Sequence, residues 1–293
     1  MPIAPAPFYD HLAIRANPSH LSDRAKRDAE FKPEIEPVFE ENLKVYGVRT
    51  IWHQMRREGF YILRCTVARL MKDIGIEGVI RGKKPKTTVL GKALPCPLER
   101  VNRQFHAPAP NVLWVSDFTY VATWQGFVYV AARHWARTNG AVNRSLIDVF
   151  ARRIVGWRAS RTANAGFVLD ALEQAVHQRR PEQDQLVHHS DRGSQYLSIK
   201  YTERLAEAKV APSVGSVGDS YDNALTETIN GLFKAEVILR CGPWRSFDAV
   251  EYAPPEWVDW FNNRRLLEPI GNTPPAEAET NFYAALERSD MAA

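Results

Sequence analysis

The sequence predicts an α/β fold, a mixed sheet with flanking helices, preceded by an all-α region. Residues 21–74 carry apolar side chains at helical spacing, whereas from Asn111 the texture changes to strands. Three strand-like segments are then followed by alternating helix and strand, an order that suits a mixed sheet. Charge divides at about the same place. Residues 1–110 hold 19 Lys and Arg against 12 Asp and Glu, and residues 111–293 hold 19 against 22.

Residues 21–45 read as a helix, with Ile35, Val38, Phe39 and Leu43 as its apolar stripe. In a second helix Ile51, Trp52 and Met55 share one face, and Glu58-Gly59 ends it. Thr66 is the expected N-cap of a third, whose Val67, Leu70, Met71 and Ile74 face inward before Gly75 stops it. Two short helices carrying Arg56, Arg57, Arg64 and Arg69 make a helix-turn-helix, the second helix offered to a DNA groove. Residues 44–86 hold 11 basic and 3 acidic side chains, a charge suited to a polyanion and equally to a solvated helical face. Residues 81–110 contain five prolines and no sustained period; they read as an extended linker whose Lys83 and Lys84 lie along a phosphate backbone.

The segment NVLWVSDFTYV is apolar on both faces, as in a central strand. GFVYVAA and LIDVFARRIVGWRAS supply further strands around a turn at Ala151-Arg152-Arg153. A helix over 167–178, the strand QLVHHSD, a helix over 199–210 and the strand VAPSV follow. A Gly/Ser loop then leads to the long helix YDNALTETINGLFKAEVI. The resulting plan is an N-terminal helical segment (1–43), a helix-turn-helix-like region (44–86), a linker (87–108), an α/β core (109–272) and a C-terminal tail (273–293).

At 45% hydrophobic and 25% charged, the composition is that of a globular protein. The N-terminus has no signal-peptide pattern and the apolar runs are too short for a membrane span, so the expected location is the cytoplasm, at the nucleoid. Cys65, Cys96 and Cys241 are scattered without metal-ligand spacing and read as free thiols.

Three acids carry the chemistry. Asp117 lies within an apolar strand, where an uncompensated carboxylate is costly. Asp191 follows Leu186 and Val187 where the chain leaves the sheet, and strand ends are where sites form in α/β sheets. Glu227 lies on the long helix, whose buried stripe is Leu225, Ile229, Leu232 and Phe233. At 100° per residue Asn223, Glu227, Asn230 and Lys234 fall on another face. Three hard oxygen donors suit Mg²⁺ or Mn²⁺, and two such ions roughly 3.5–4 Å apart can act on a phosphodiester.

The words around these acids are specific: WVSDFTYV around Asp117, HHSDRGSQY around Asp191 and SVGDSYDNALTETINGLFKAE around Glu227, with 35 residues between the last two acids. In these the chain resembles the second-reading-frame product of bacterial insertion-sequence transposases, whose core is similar to retroviral integrase. The resemblance covers nearly the whole chain. YGVRTIWHQMRREG and RCTVARLM resemble that family's helix-turn-helix, and EWVDWFNNRRLLEPIGNTPPAEAE resembles its tail.

The resemblance implies a ribonuclease-H-like core with Asp117, Asp191 and Glu227 as ligands of two divalent ions. It implies strand cleavage and transfer of a mobile element, binding to double-stranded element ends and target DNA, and action as a homo-oligomer. Asn223 and Lys234 would position DNA or Glu227; Gly193 and His189 would support the site. His188 and His189 read as structural rather than as ligands. The short N-terminus leaves room for a DNA-binding partner encoded by an upstream frame.

One segment departs from the family. Residues 132–146 (ARHWARTNGAVNRSL), with three Arg and no acid, intervene where the second strand should run from FVYVA into LIDVF. Either they loop out as a basic hairpin, or they interrupt an interior ladder and leave a defective copy that only binds DNA. They also lengthen the stretch between Asp117 and Asp191 to 73 residues.

Overall fold

The computed structural model describes residues 9, 12–13, 17–80, 82, 106–121, 141–160, 165–181, 185–190, 198–214, 224–245 and 247–292. The chain divides into two compact units, Met1–Val79 and Ile80–Ala293.

In the first unit α1 (Asp23–Glu41) opens at Ser22, whose Oγ accepts the Ala25 N–H at 3.2 Å. It ends sooner than the apolar stripe suggests, because Leu43 and Lys44 take positive φ and turn the chain. Helices α2 (Val48–Arg57) and α3 (Arg64–Ile74) follow, and α1 packs on both. Residues 1–43 and 44–86 thus contribute to one core, in which Ile35, Ile51, Met55, Val67 and Leu70 are fully buried. Thr66 does not cap α3. The helix starts two residues earlier, and extended Leu63 caps it with no side-chain hydrogen bond; the Thr66 N–H already bonds to the Leu63 carbonyl at 2.9 Å. Gly59 and Gly75 end α2 and α3 as expected, both at positive φ. The chain then returns beside Val45, and at Gly78 a Cβ would meet the Gly47 Cα at 2.5 Å.

The second unit is built on a five-stranded sheet of order β3-β2-β1-β4-β5. Strands β1 (Leu113–Val121), β2 (Ala141–Asp148) and β3 (Arg153–Ser160) form an antiparallel meander. Helix α4 (Ala165–Arg179) leads to β4 (Val187–Ser190), parallel to β1, and α5 (Ile199–Glu207) leads to β5 (Ala211–Val214), parallel to β4. Trp114, Leu146, Val155, Leu172, Leu186 and Tyr201 belong to the core cluster between the sheet, α4 and α5. Gly156 permits close packing, since a Cβ there would lie 2.3 Å from the Ala171 carbonyl oxygen on α4.

The intervening segment ends earlier than the sequence suggests. Residues 141–146 are the first part of β2, paired with β1 from Val121↔Ala141 to Trp114↔Asp148 and with β3 from Val142↔Ser160. The interior ladder is continuous apart from one register shift at Leu146/Ile147. Pairing uses backbone groups, so AVNRSL can enter a strand that the apolar pattern begins only at Leu146. The segment FVYVA lies outside the described residues.

Helix α6 (Ala224–Phe233) continues through a π-helical turn at Lys234–Ile238, and α7 (Phe247–Asn263) and α8 (Pro275–Ala292) complete the chain. On α6 Ile229 and Phe233 are buried as expected. Leu225 and Leu232 are only partly so, and Thr226 and Asn230 are buried with the first pair. Among the described residues no helix is long and apolar enough to cross a membrane, and Cys65 and Cys241 are exposed free thiols.

The C-terminal helix is bound to the sheet by buried charge. Glu279 of α8 accepts two hydrogen bonds from Arg179, both at 2.8 Å, and one from Arg153 at 2.6 Å. Asp148, with no exposed surface, accepts from the backbone of Asn111 at 2.6 Å and of Phe150 at 3.0 Å. Burial is the main force pushing the Asp148 carboxyl up to about 6, and Glu279 adds to it, against the pull of the Asn111 N–H and Arg179. Arg179 lies 3.7 Å from Asp148 but gives its fork to Glu279.

Gly156→Ala is expected to cost about 1–3 kcal/mol of stability in urea titrations, because the α4 backbone must move. Asp148 has a folded pKa above its unfolded one, so its contribution is full below pH ~4 and is lost as pH rises through about 6. Relative to Asp148→Asn, the native chain should lose on the order of 3 kcal/mol of stability between pH 4 and 7, since each tenfold change in proton affinity is worth about 1.4 kcal/mol. A wild-type-minus-variant difference that stays flat across that range would disprove this.

Candidate active site

Asp117 lies in the central strand, directly opposite Ser145 of β2, so the two side chains share one face of the sheet. Asn230 of α6 reaches both: its Nδ2 donates to Asp117 Oδ2 at 3.2 Å, and its Oδ1 accepts from Ser145 Oγ at 3.1 Å. Glu227 sits one turn earlier on α6 and Lys234 one turn later, where the π-helical turn begins. Helical phase puts Glu227, Asn230 and Lys234 on one face, and α6 packs against β1 and β2.

On the other side of β1, Ser190 of β4 pairs with Ser116. These residues immediately precede Asp191 and Asp117 in the chain. Asp191, Gly193 and Asn223 lie outside the described residues. His188 and His189 are buried with hydroxyl partners: His188 Nε2 is 3.0 Å from Ser116 Oγ, and His189 Nδ1 is 3.0 Å from Ser213 Oγ. The Asp117 carboxylate offers hard oxygens, which fit Mg²⁺ or Mn²⁺. Among the described residues no three His, Cys, Asp or Glu side chains cluster.

Asn230 was legible as a member of Glu227's face. Ser145 was not, because recognising it requires knowing that β2 begins at Ala141.

In the first unit Arg56, Arg57 and Arg64 are exposed, and the Arg56 guanidinium lies 5.4 Å from the Trp52 ring centre. Arg69 differs. It makes a two-pronged bond to Asp28 on α1 at 2.7 and 2.8 Å, which raises its own pKa and lowers that of Asp28. Its side chain ties α3 to α1 instead of reaching outward. Lys83 and Lys84 lie outside the described residues.

Family profiles agree with this division. An HTH-like domain matches residues 26–84, and two integrase core domain profiles match residues 107–220 and 208–275. The second unit thus has an integrase-type catalytic core, the class of DDE polynucleotidyl transferases. The transposase for insertion sequence element IS629 of Shigella sonnei is 55% identical over 99% of this chain and 93% of its own. A Mycobacterium tuberculosis protein described as a putative transposase for IS986/IS6110 is 49% identical over 98% and 99%. The HTLV-2 integrase catalytic core aligns with 18% identity over 59% of this chain and 98% of its own, at a TM-score of 0.42. The chain belongs to the insertion-sequence transposases.

Arg69→Ala is expected to lower the melting temperature of the chain, whereas Arg64→Ala should leave it unchanged. In DNA titrations Arg64→Ala should reduce the salt slope by about one. Equal melting temperatures for the two variants would remove the structural assignment of Arg69.

Proposed function

We propose that this chain cuts the ends of a mobile element and joins them to target DNA, with Asp117, Asp191 and Glu227 as the acids that hold divalent metal. The observation that carries this reading is the meeting of β1 and α6 through the Asp117–Asn230 hydrogen bond. That contact puts the face bearing Glu227 beside the strand bearing Asp117. Ser190, which precedes the third acid in sequence, is in register with Ser116, which precedes Asp117.

Two Mg²⁺ or Mn²⁺ ions, when bound, supply activation of a water or 3′-hydroxyl and stabilisation of the leaving oxygen. Asp117 and Glu227 offer carboxylate oxygens from two separate elements, so the packing of α6 on the sheet fixes their relative placement. Lys234, on the same helical face, offers a cation to the scissile or an adjacent phosphate. Asn223 helps to position DNA or Glu227, Gly193 supports the site, and His189 braces β4 against β5 through Ser213. In the first unit Arg56, Arg57 and Arg64 bind phosphates of element ends, and Lys83 and Lys84, further along the sequence, add basic contacts to the same DNA.

The partners are double-stranded element ends and target DNA, a second copy of the chain, and an upstream-frame DNA-binding protein. The location is the cytoplasm, at the nucleoid. The continuous β2 ladder supports this catalytic reading over a copy that only binds DNA, since the interior strand keeps both neighbours.

Asp117→Asn and Glu227→Gln are each expected to reduce Mg²⁺-dependent nicking of element ends by at least about 10³-fold. Their affinity for the same DNA in metal-free buffer should stay within about twofold of wild type. Variants that nick as well as the parent would overturn the assignment.

A further inference from the structure

We propose that Ser145 and Asn230 are positioning residues that fix the Asp117 carboxylate for metal, through a directed relay running Ser145 to Asn230 to Asp117. The inference deepens the catalytic reading above and rests on it for the identity of Asp117 as a metal ligand.

The direction of the relay follows from donor chemistry. An ionised carboxylate only accepts, so the Asn230 group facing Asp117 Oδ2 is the amide NH₂. The amide oxygen then faces Ser145, and only a donated hydroxyl proton satisfies that contact. Turned the other way, Asn230 would set its oxygen against the carboxylate and its NH₂ against the hydroxyl. The acceptor-only carboxylate therefore selects the amide orientation, and Ser145, whose hydroxyl can turn to donate, holds the amide oxygen in place so that Asp117 keeps a fixed neutral donor.

Geometry makes the relay stiff. Ser145 and Asn230 are both more than nine-tenths buried, and Asp117 and Ser145 are cross-strand partners on one sheet face. The three residues come from β1, β2 and α6, so the contact closes a triangle between two strands and a helix. A carboxylate held at one oxygen by a fixed donor loses rotational freedom before any ion arrives. Partners of this kind around metal ligands set affinity by orienting the ligand.

The test is Mn²⁺ binding to the full chain, read by electron paramagnetic resonance of the free ion, beside thermal melts in metal-free buffer. Ser145→Ala and Asn230→Leu are each expected to weaken Mn²⁺ binding about tenfold. The double variant should lose no more than either single one, since both break the same relay. Ser145→Thr keeps the hydroxyl and should restore wild-type affinity. Should Ser145→Ala melt early, Asn230→Leu against Ser145→Thr carries the comparison.

Wild-type Mn²⁺ affinity in Ser145→Ala overturns the relay, and so does a Ser145→Thr chain as weak as Ser145→Ala. In both cases the metal site itself stands. A wild-type chain that binds no Mn²⁺ overturns the relay and the catalytic reading together.

Discussion

Strand β1 pairs antiparallel with β2 from Trp114 to Val121 and parallel with β4 from Leu113 to Ser116, and the active core depends on both ladders. Its first half is enclosed on both sides, and Asp117 is the first residue beyond the β4 ladder, held by β2 through Ser145. Leu113, Trp114 and Val115 are almost wholly buried and anchor its first half, and Asp117 follows as the first carboxylate of the strand. A charge so close to the core requires polar company. Asn230 supplies some of it, and the helix that brings Asn230 also brings Glu227. Electrostatic relief of one acid and placement of the second are the same packing event.

Elsewhere the core handles buried charge by sharing arginines among acids. Arg179 and Arg153 converge on Glu279, and Arg179 also touches Asp148 and the Asn111 side chain. A second group joins Glu236 in the π-helical turn to Arg265 at 2.5 Å and to the Trp257 indole at 3.0 Å. Arg265 lies over Trp260 and Phe261, which shields the pair from water. Buried ion pairs add little net stability over apolar packing, but breaking one is costly because a charge is left uncompensated. Such pairs therefore specify which surfaces meet. Here they select the docking of α7 and α8, so residues that read as a tail are fastened to β3 and α4.

Among the described residues, the order of elements and the helical phase that Asn230 shares with Glu227 and Lys234 were legible because each rests on local periodicity; GFVYVAA, read as a strand, lies outside them. The ends of elements were less so. Thr66 has the chemistry of an N-cap, yet α3 starts at Arg64, since packing of Val67 and Leu70 sets the helix phase and Leu63 can serve as an extended cap. The start of β2 was hidden for a similar reason. Val142 to Ser145 read as a polar insert by composition, while pairing with two neighbours depends only on backbone. Arg69 looked like one more basic residue of a DNA-binding face, and its partner Asp28 lies 41 residues away in sequence, beyond any local pattern.

The change of charge falls near residue 110, inside the second unit. Residues 111–293 carry 19 basic against 22 acidic side chains, so this stretch alone repels a polyanion slightly. Its acids can approach a phosphodiester only when cations lie between them, which makes metal a condition of close approach as well as of chemistry. The first unit is nearly neutral, with 12 basic against 11 acidic side chains, and its pairing of Arg69 with Asp28 leaves Arg56, Arg57 and Arg64 exposed on a helical pair stiffened from behind by α1. On the proposed assignment, substituting these arginines should weaken DNA binding and leave cutting measurable, a separation that a single basic active site would not allow.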